Sequence, residues 1–135
     1  MRGALTTLDA DCARVSAELP LRANLSALDN VALIPLYQRG VGATRAAAEA
    51  RALLERLGHA ATLPLRDPDM DNGQRFATKL ARALVLERPR LVIDTPAALL
   101  PDLRYPDFIR ALAARVGGAP WDVYDYAWNE ALWYA

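Results

Sequence analysis

The stretch from Asp71 to Pro96 narrows the choice of folds most. Phe76, Ala77, Leu80, Ala81 and Leu84 recur at the three-to-four spacing of an amphipathic helix. The pattern places this helix at about 73–87, with Asn72 positioned as its cap and Pro89 as its end. Just beyond it, Leu91-Val92-Ile93 forms a short, wholly apolar run that ends in Asp94. A strand that is apolar on both faces must be covered on both faces, so it belongs in a parallel sheet flanked by helices. The expected fold class is α/β, with a small and mostly parallel sheet.

Length and charge set the remaining limits. A chain of 135 residues can build one domain with a real core. No repeat, low-complexity tract or linker divides it, so 1–135 reads as a single domain. Sixteen basic and sixteen acidic side chains give a formal net charge of zero. That provides no overall attraction to nucleic acid or to an anionic membrane. The single cysteine, Cys12, excludes an internal disulfide framework and a multi-cysteine metal site. No apolar run approaches the length of a membrane span, and the first residues lack a signal-peptide core. A cytoplasmic location is the expectation. Lys79 is the sole lysine and lies within a helical pattern. A phosphate-cradling G-x-x-x-x-G-K-[ST] loop, which needs its lysine on the β- and γ-phosphates, does not occur in these residues.

Elsewhere the pattern is alternately clear and ambiguous. Residues 4–18 read as one or two short strands. The apolar run Val31-Ala32-Leu33-Ile34 is broken by Pro35. Thr44 caps a helix to about Leu57 with an Ala46, Ala50, Leu53, Leu54, Leu57 stripe, and Arg45–Glu49 and Arg51–Glu55 make i,i+4 pairs. Pro64 to Asn72 is an acidic loop. Pro106 opens another helix, with Phe108, Ile109, Leu112 and Val116 inward and Gly117-Gly118 as its stop. In the tail, Trp121, Tyr124, Trp128 and Leu132 suit a helix, whereas Tyr124, Tyr126 and Trp128 suit a strand.

Three blocks then fall into a known order. They are Met70-Asp71-Asn72-Gly73-Gln74-Arg75, Ala81-Arg82-Ala83-Leu84, and Leu91-Val92-Ile93-Asp94-Thr95-Pro96. They resemble the signature loop LSGGQ-R, the A-R-A-L helix end and the Walker B strand ending D-E-P of ABC-transporter ATPases. Ser26-Ala27-Leu28-Asp29-Asn30-Val31 is similar to the entry of that family's helical subdomain, here about 24–70. The resemblance runs from about residue 15 to residue 101. It implies a partial P-loop NTPase-like domain with a helical subdomain and no P-loop.

The resemblance also implies which positions have changed. Asp71 stands where a serine faces the γ-phosphate of ATP held by the opposite subunit, and Asn72 replaces the first glycine; Gly73 and Gln74 remain. Asp94 matches the Mg²⁺-associated aspartate, while Thr95 replaces the glutamate that activates water. Ala17 falls at the glutamine that closes the preceding strand, and Pro101 at the D-loop aspartate. The switch histidine has no counterpart after His59. Phosphoryl transfer needs these parts together. The expectation is therefore a chain without catalytic residues, metal ligands or a cofactor of its own, with ATP and Mg²⁺ not held by this chain alone. Its expected role is as a binding subunit for a complete ATPase or a permease, touching a membrane only through that permease. Two alternatives remain: an ATPase half whose Gly73 and Gln74 act in trans on a partner's ATP, and a small binding domain unrelated to transport. Loss of the P-loop strand is expected to leave the 91–94 strand short of a neighbour, covered by a second copy or a docked partner.

Other residues have plainer readings beside sharper ones. Asp67 to Gly73 resembles a calcium loop, but its glycine comes one place late and Thr78 stands at the twelfth position, so a helix-capping acidic loop is preferred. Arg75, Lys79 and Arg82, with Arg88 and Arg90 beyond, form a basic stripe. Without interleaved aromatics it reads as a solvated helix face, not a nucleic-acid face. His59 reads as a C-terminal dipole partner and Cys12 as a small buried hydrophobe. Trp121, Tyr124, Trp128 and Trp133 are candidate interface residues, with internal packing as the alternative.

Overall fold

A computed structural model describes residues 11–102, 104–118 and 121–134. Among them, three parallel strands, β1 (Cys12–Val15), β2 (Arg90–Asp94) and β3 (Asp122–Tyr124), form a sheet in the order β1-β2-β3. Between β1 and β2 run α1 (Ala27–Gln38), α2 (Ala43–Arg56) and α3 (Asn72–Leu84). Between β2 and β3 lie the short α4 (Pro96–Leu99) and α5 (Tyr105–Val116), and α6 (Glu130–Trp133) follows β3. The α/β class with a small parallel sheet is as expected.

The apolar run does what its composition demands. Val92 and Ile93 are fully buried at the sheet centre. Val15 is paired with Ile93, and Ile93 in turn with Val123. The strand is therefore not short of a neighbour, contrary to expectation: β3 supplies the second one. Its register was hidden in the aromatic tail, whose period is strand-like over three residues and helical afterwards. The free edges among the described residues belong to β1 and β3. Of the expected strands at 4–18, Cys12–Val15 forms, and the part up to residue 10 lies outside the described residues.

α1 passes through Pro35 instead of stopping there. A proline ring forfeits one helical hydrogen bond. Pro35 is nonetheless buried, and its carbonyl accepts from both Arg39 N and Val41 N at 3.2 Å. Ser26 caps this helix through Oγ to Asp29 N at 3.1 Å. The buried Asn30 fastens the incoming loop: its Oδ1 accepts from Arg22 N, and its Nδ2 faces the carbonyls of Arg22, Leu25 and Ser26.

α2 starts two residues earlier than expected, behind Gly42, with no side-chain cap; Thr44 is exposed. Ala46, Ala50 and Leu54 are its buried stripe. Glu49 takes Arg39 across from α1 at 3.2 Å. The expected Arg45–Glu49 pair is displaced because a neighbouring helix offers a less exposed partner. α1 packs on α2 and α3, and α3 packs on β1, so Phe76 and Leu80 meet Leu54, Val31 and Val15 in one core.

Candidate functional site

The candidate site is the loop that leads into α3 and the turn that leaves β2. Met70 is buried and anchors the loop. Asp71, not Asn72, is the cap: its backbone is extended at φ −78°, and its Oδ1 accepts from Gln74 N at 2.7 Å. Gln74 Oε1 in turn accepts from Asp71 N at 2.9 Å, closing a reciprocal capping box. Asn72 is the first helical residue. Its Nδ2 donates to Asp102 Oδ1 at 3.0 Å, and its Oδ1 accepts from Arg75.

Gly73 is buried, and a Cβ there would meet Phe108 Cζ at 3.2 Å. The glycine is thus explained by the close approach of α5. Phe108 lies edge-on to both Phe76 and His59. A cleft of about 390 Å³ opens in front of the α3 N-terminus, lined by His59, Thr62, Asp71, Asn72, Asp102 and Phe108 among others. Asp94 and Thr95 are not in its lining. Burial lowers the pKa of His59, Asp71 opposes that shift, and Arg115 adds to it. The ring lines the cleft, and burial disfavours the charged form that a dipole partner at the end of α2 would need.

The basic stripe is not a solvated face, and its charges are spent inside the chain. Arg75 binds Asp67 Oδ2 at 3.1 Å and the carbonyls of Asp67 and Met70. Lys79 is buried, and its Nζ donates to Ser16 O at 3.3 Å. Arg82 donates to Pro20 O at 2.8 Å and Leu19 O at 2.5 Å. Periodicity cannot show this for Lys79 and Arg82, because their acceptors lie some sixty residues upstream. The same bonds commit Asp67 to Arg75 and Asp71 to the helix end, so the acidic loop turns its carboxylates to different partners.

At the end of β2, Asp94 Oδ1 accepts from Thr95 Oγ1 at 2.9 Å. Thr95 N donates to Tyr124 O, tying β2 to β3. Thr95 is left-handed, at φ 51° and ψ 63°, and stands directly before Pro96. A β-branched residue in that region costs about 1–2 kcal/mol, and a following proline disfavours helical ψ further. Ala17 is exposed just past β1, and Pro101 is exposed beyond α4.

The aromatic tail divides. Trp133 packs edge-on against Tyr105 at 5.7 Å and lies under the Arg110 guanidinium. Trp121 is half-buried, Tyr124 is 37% exposed and Trp128 is 77% exposed. Asp125 organises this region. It accepts from Tyr105 OH, Tyr126 N, Asn129 Nδ2 and Trp133 Nε1. Burial pushes its pKa up, but those four donors outweigh it and hold the carboxyl below its usual range. The Tyr105 hydroxyl is pushed up to about 12 by burial and by its bond to Asp125. The only sequence signal was an aspartate among aromatics that carry N–H and O–H groups.

The three-stranded parallel sheet with its helical insertion defines a class, the ATP-binding cassette fold. The solved ATP-binding cassette MJ0796, in a dimeric post-hydrolysis state bound to ADP and Pi, superposes with a TM-score of 0.69 at 22% identity, over 96% of this chain and 58% of that one. No family model matches. Over about 70% of its length the chain is homologous to ABC transporter ATP-binding proteins. It is 34% identical over 100 residues to an uncharacterized ABC transporter ATP-binding protein of Mycobacterium tuberculosis, covering 73% of this chain and 29% of that protein. It is 37% identical over 98 residues to the lipoprotein-releasing system ATP-binding protein LolD of Shewanella denitrificans, covering 70% and 41%. The chain thus spans well under half the length of these relatives. Among the described residues, no helix is long and apolar enough to cross a membrane.

Proposed function

We propose that this chain is a non-catalytic, ABC-ATPase-like subunit that binds a transporter component, a complete ATPase or a permease, in a structural or regulatory role. The observation that carries the reading is the Asp71 carboxylate on the N-terminus of α3. Helix-end N–H groups of this kind suit a phosphate. Here they face a carboxylate of the chain itself. Two like charges about 4 Å apart repel by roughly 4 kcal/mol at an effective dielectric of 20. ATP therefore does not fit this loop as it stands.

Thr95 points the same way. A hydroxyl that donates to its neighbour is no base for water. The packing of α1 and α2 against the α3 core is intact, and the resemblance makes this helical region the permease-docking part. Gly73, the residue on which action in trans would depend, is accounted for by Phe108.

The test is co-purification of the full chain with the ABC ATPase and permease of its own cell, together with calorimetric titration of Mg-ATP. The expected result is a stable complex and no nucleotide heat from this chain alone. ATP turnover that appears only on adding this chain to a partner would refute the reading in favour of a trans-acting half-site.

A further inference from the structure

Residues 16–20 form a strap between two fixed points, Val15 at the end of β1 and the buried Leu21. Ser16 is buried, whereas Ala17, Glu18, Leu19 and Pro20 are exposed. The strap's own backbone bond is a turn, Leu19 N to Ser16 O at 3.1 Å. What fastens it to the domain is a pair of cations on α3. Lys79 Nζ donates to Ser16 O at 3.3 Å, and Arg82 donates to the carbonyls of Leu19 and Pro20. An exposed segment held by side chains, with no strand or helix ladder, belongs to the low-stability end of a fold.

The two fasteners are unequal. Arg82 has two carbonyls within good hydrogen-bond distance. Lys79 is 5% exposed, and its ammonium, which carries three donors, meets one long acceptor. Asp67 is the anion that acts on it, and that carboxylate is already bound to Arg75 at 3.1 Å. Burial lowers the Lys79 pKa and Arg82 lowers it further; Asp67 opposes them in part, and Arg75 adds to the lowering. A buried ammonium without a carboxylate of its own is held at a cost, and an apolar group of similar volume often serves better in its place. The closed strap therefore keeps Lys79 from the water that would complete its hydrogen bonds.

We propose that residues 16–20 open within the otherwise folded chain, and that hydration of the buried Lys79 drives the opening. Val15 stays paired in the sheet with Ile93, and Leu21 stays in the core. The motion ends at Arg22, whose backbone N–H and carbonyl are both bonded to Asn30 of α1. Lys79 and Arg82 lie three residues apart and share one face of α3. Opening thus turns two internal cations into surface cations, while closing stores one of them without full solvation. The strap is a two-state element in which Arg82 favours the closed form and Lys79 the open one. It uses neither the α3 N-terminus nor the transporter reading, and stands or falls without them.

The chain carries its own reporter, because Lys79 is its sole lysine. The experiment is acetylation of Lys79 in the full chain at pH 7, read by peptide mapping, beside hydrogen exchange of the backbone amides. Lys79 is expected to react much more slowly than a free lysine side chain, yet much faster than the Val92 and Ile93 amides exchange by global unfolding. Arg82→Ala, which removes the closing fastener, should speed acetylation roughly fivefold. Lys79→Met, which removes the buried charge and keeps the length, should slow exchange of the Glu18 and Leu19 amides severalfold. Acetylation of the wild type only at the rate of global unfolding would overturn the proposal. So would faster exchange of those two amides in a folded Lys79→Met chain, since Lys79 would then be a plain fastener. Should Lys79→Met fail to fold, the wild-type and Arg82→Ala acetylation rates decide.

Discussion

Replacing Asp71 separates the two jobs this carboxylate holds, capping α3 and placing negative charge before it. Asp71→Ala removes the 2.7 Å bond to Gln74 N and the charge together. Loss of a cap side chain costs about 0.5–2 kcal/mol, and loss of an anion at a helix N-terminus a further 0.3–1 kcal/mol or so. The expected total is about 1–2 kcal/mol. With urea m-values of about 1–3 kcal/mol/M for small proteins, the urea midpoint should fall by roughly 0.5–1 M. Asp71→Ser keeps a capping oxygen and removes only the charge, so it should cost less than about 1 kcal/mol.

The charge has its own reporter. His59 is the one histidine in the chain, so its titration by NMR is a single unambiguous curve. Asp71 raises the His59 pKa against the lowering by burial and by Arg115. Both substitutions should therefore move it further down. The consequence for stability also has a definite sign. A base whose folded pKa lies below its unfolded value leaves the folded state binding fewer protons. Stability is then full above about pH 6.5 and declines as pH falls toward the folded pKa. Asp71→Ser should deepen that acid-side decline. The reasoning is refuted if Asp71→Ser destabilises as much as Asp71→Ala, or if the His59 titration is unmoved by either.

Three further outcomes follow from the same structure. Arg82→Ala frees the carbonyls of Leu19 and Pro20, which water can reach; it should cost about 1 kcal/mol and speed amide exchange in residues 16–22 while leaving α5 protected. Thr95→Asn moves the left-handed position to a residue that tolerates it and should raise thermal stability by up to about 1 kcal/mol; a loss of that size would show that the Thr95 hydroxyl bond to Asp94 outweighs the backbone strain. Asp125→Asn turns an amide N–H₂ toward donors that need an acceptor and should cost about 2–3 kcal/mol, with collapse of the near-UV signal of Trp133; an unchanged spectrum would remove Asp125 as the organiser of the tail.

The local patterns were legible because their causes are local. The Ala46, Ala50, Leu54 stripe, the Phe76 to Leu84 stripe and the Leu91-Val92-Ile93 run read correctly, since burial of one helix face or both strand faces leaves a period in the chain. Caps were legible only to within a residue or two. Thr44 and Asn72 looked as competent as Gly42 and Asp71, and the choice rested on the backbone entering the helix. Asp71 had two readings in one letter, a displaced phosphate contact and a helix cap. The capping box shows that the second is physically made.

What the sequence determined by itself was the α/β class, the buried strand of a parallel sheet and the resemblance whose homology extends over about 70% of the chain. Only the tertiary structure decided the placement of charge and edge. Arg75, Lys79 and Arg82 look like a solvated stripe until chain segments up to sixty residues away bring carbonyls under them. β2 looks unpartnered until three residues of an ambiguous tail pair with it. Periodicity records which side of an element avoids water, and it carries no record of which distant backbone group a long cationic side chain reaches. That information exists only once non-local contacts have closed.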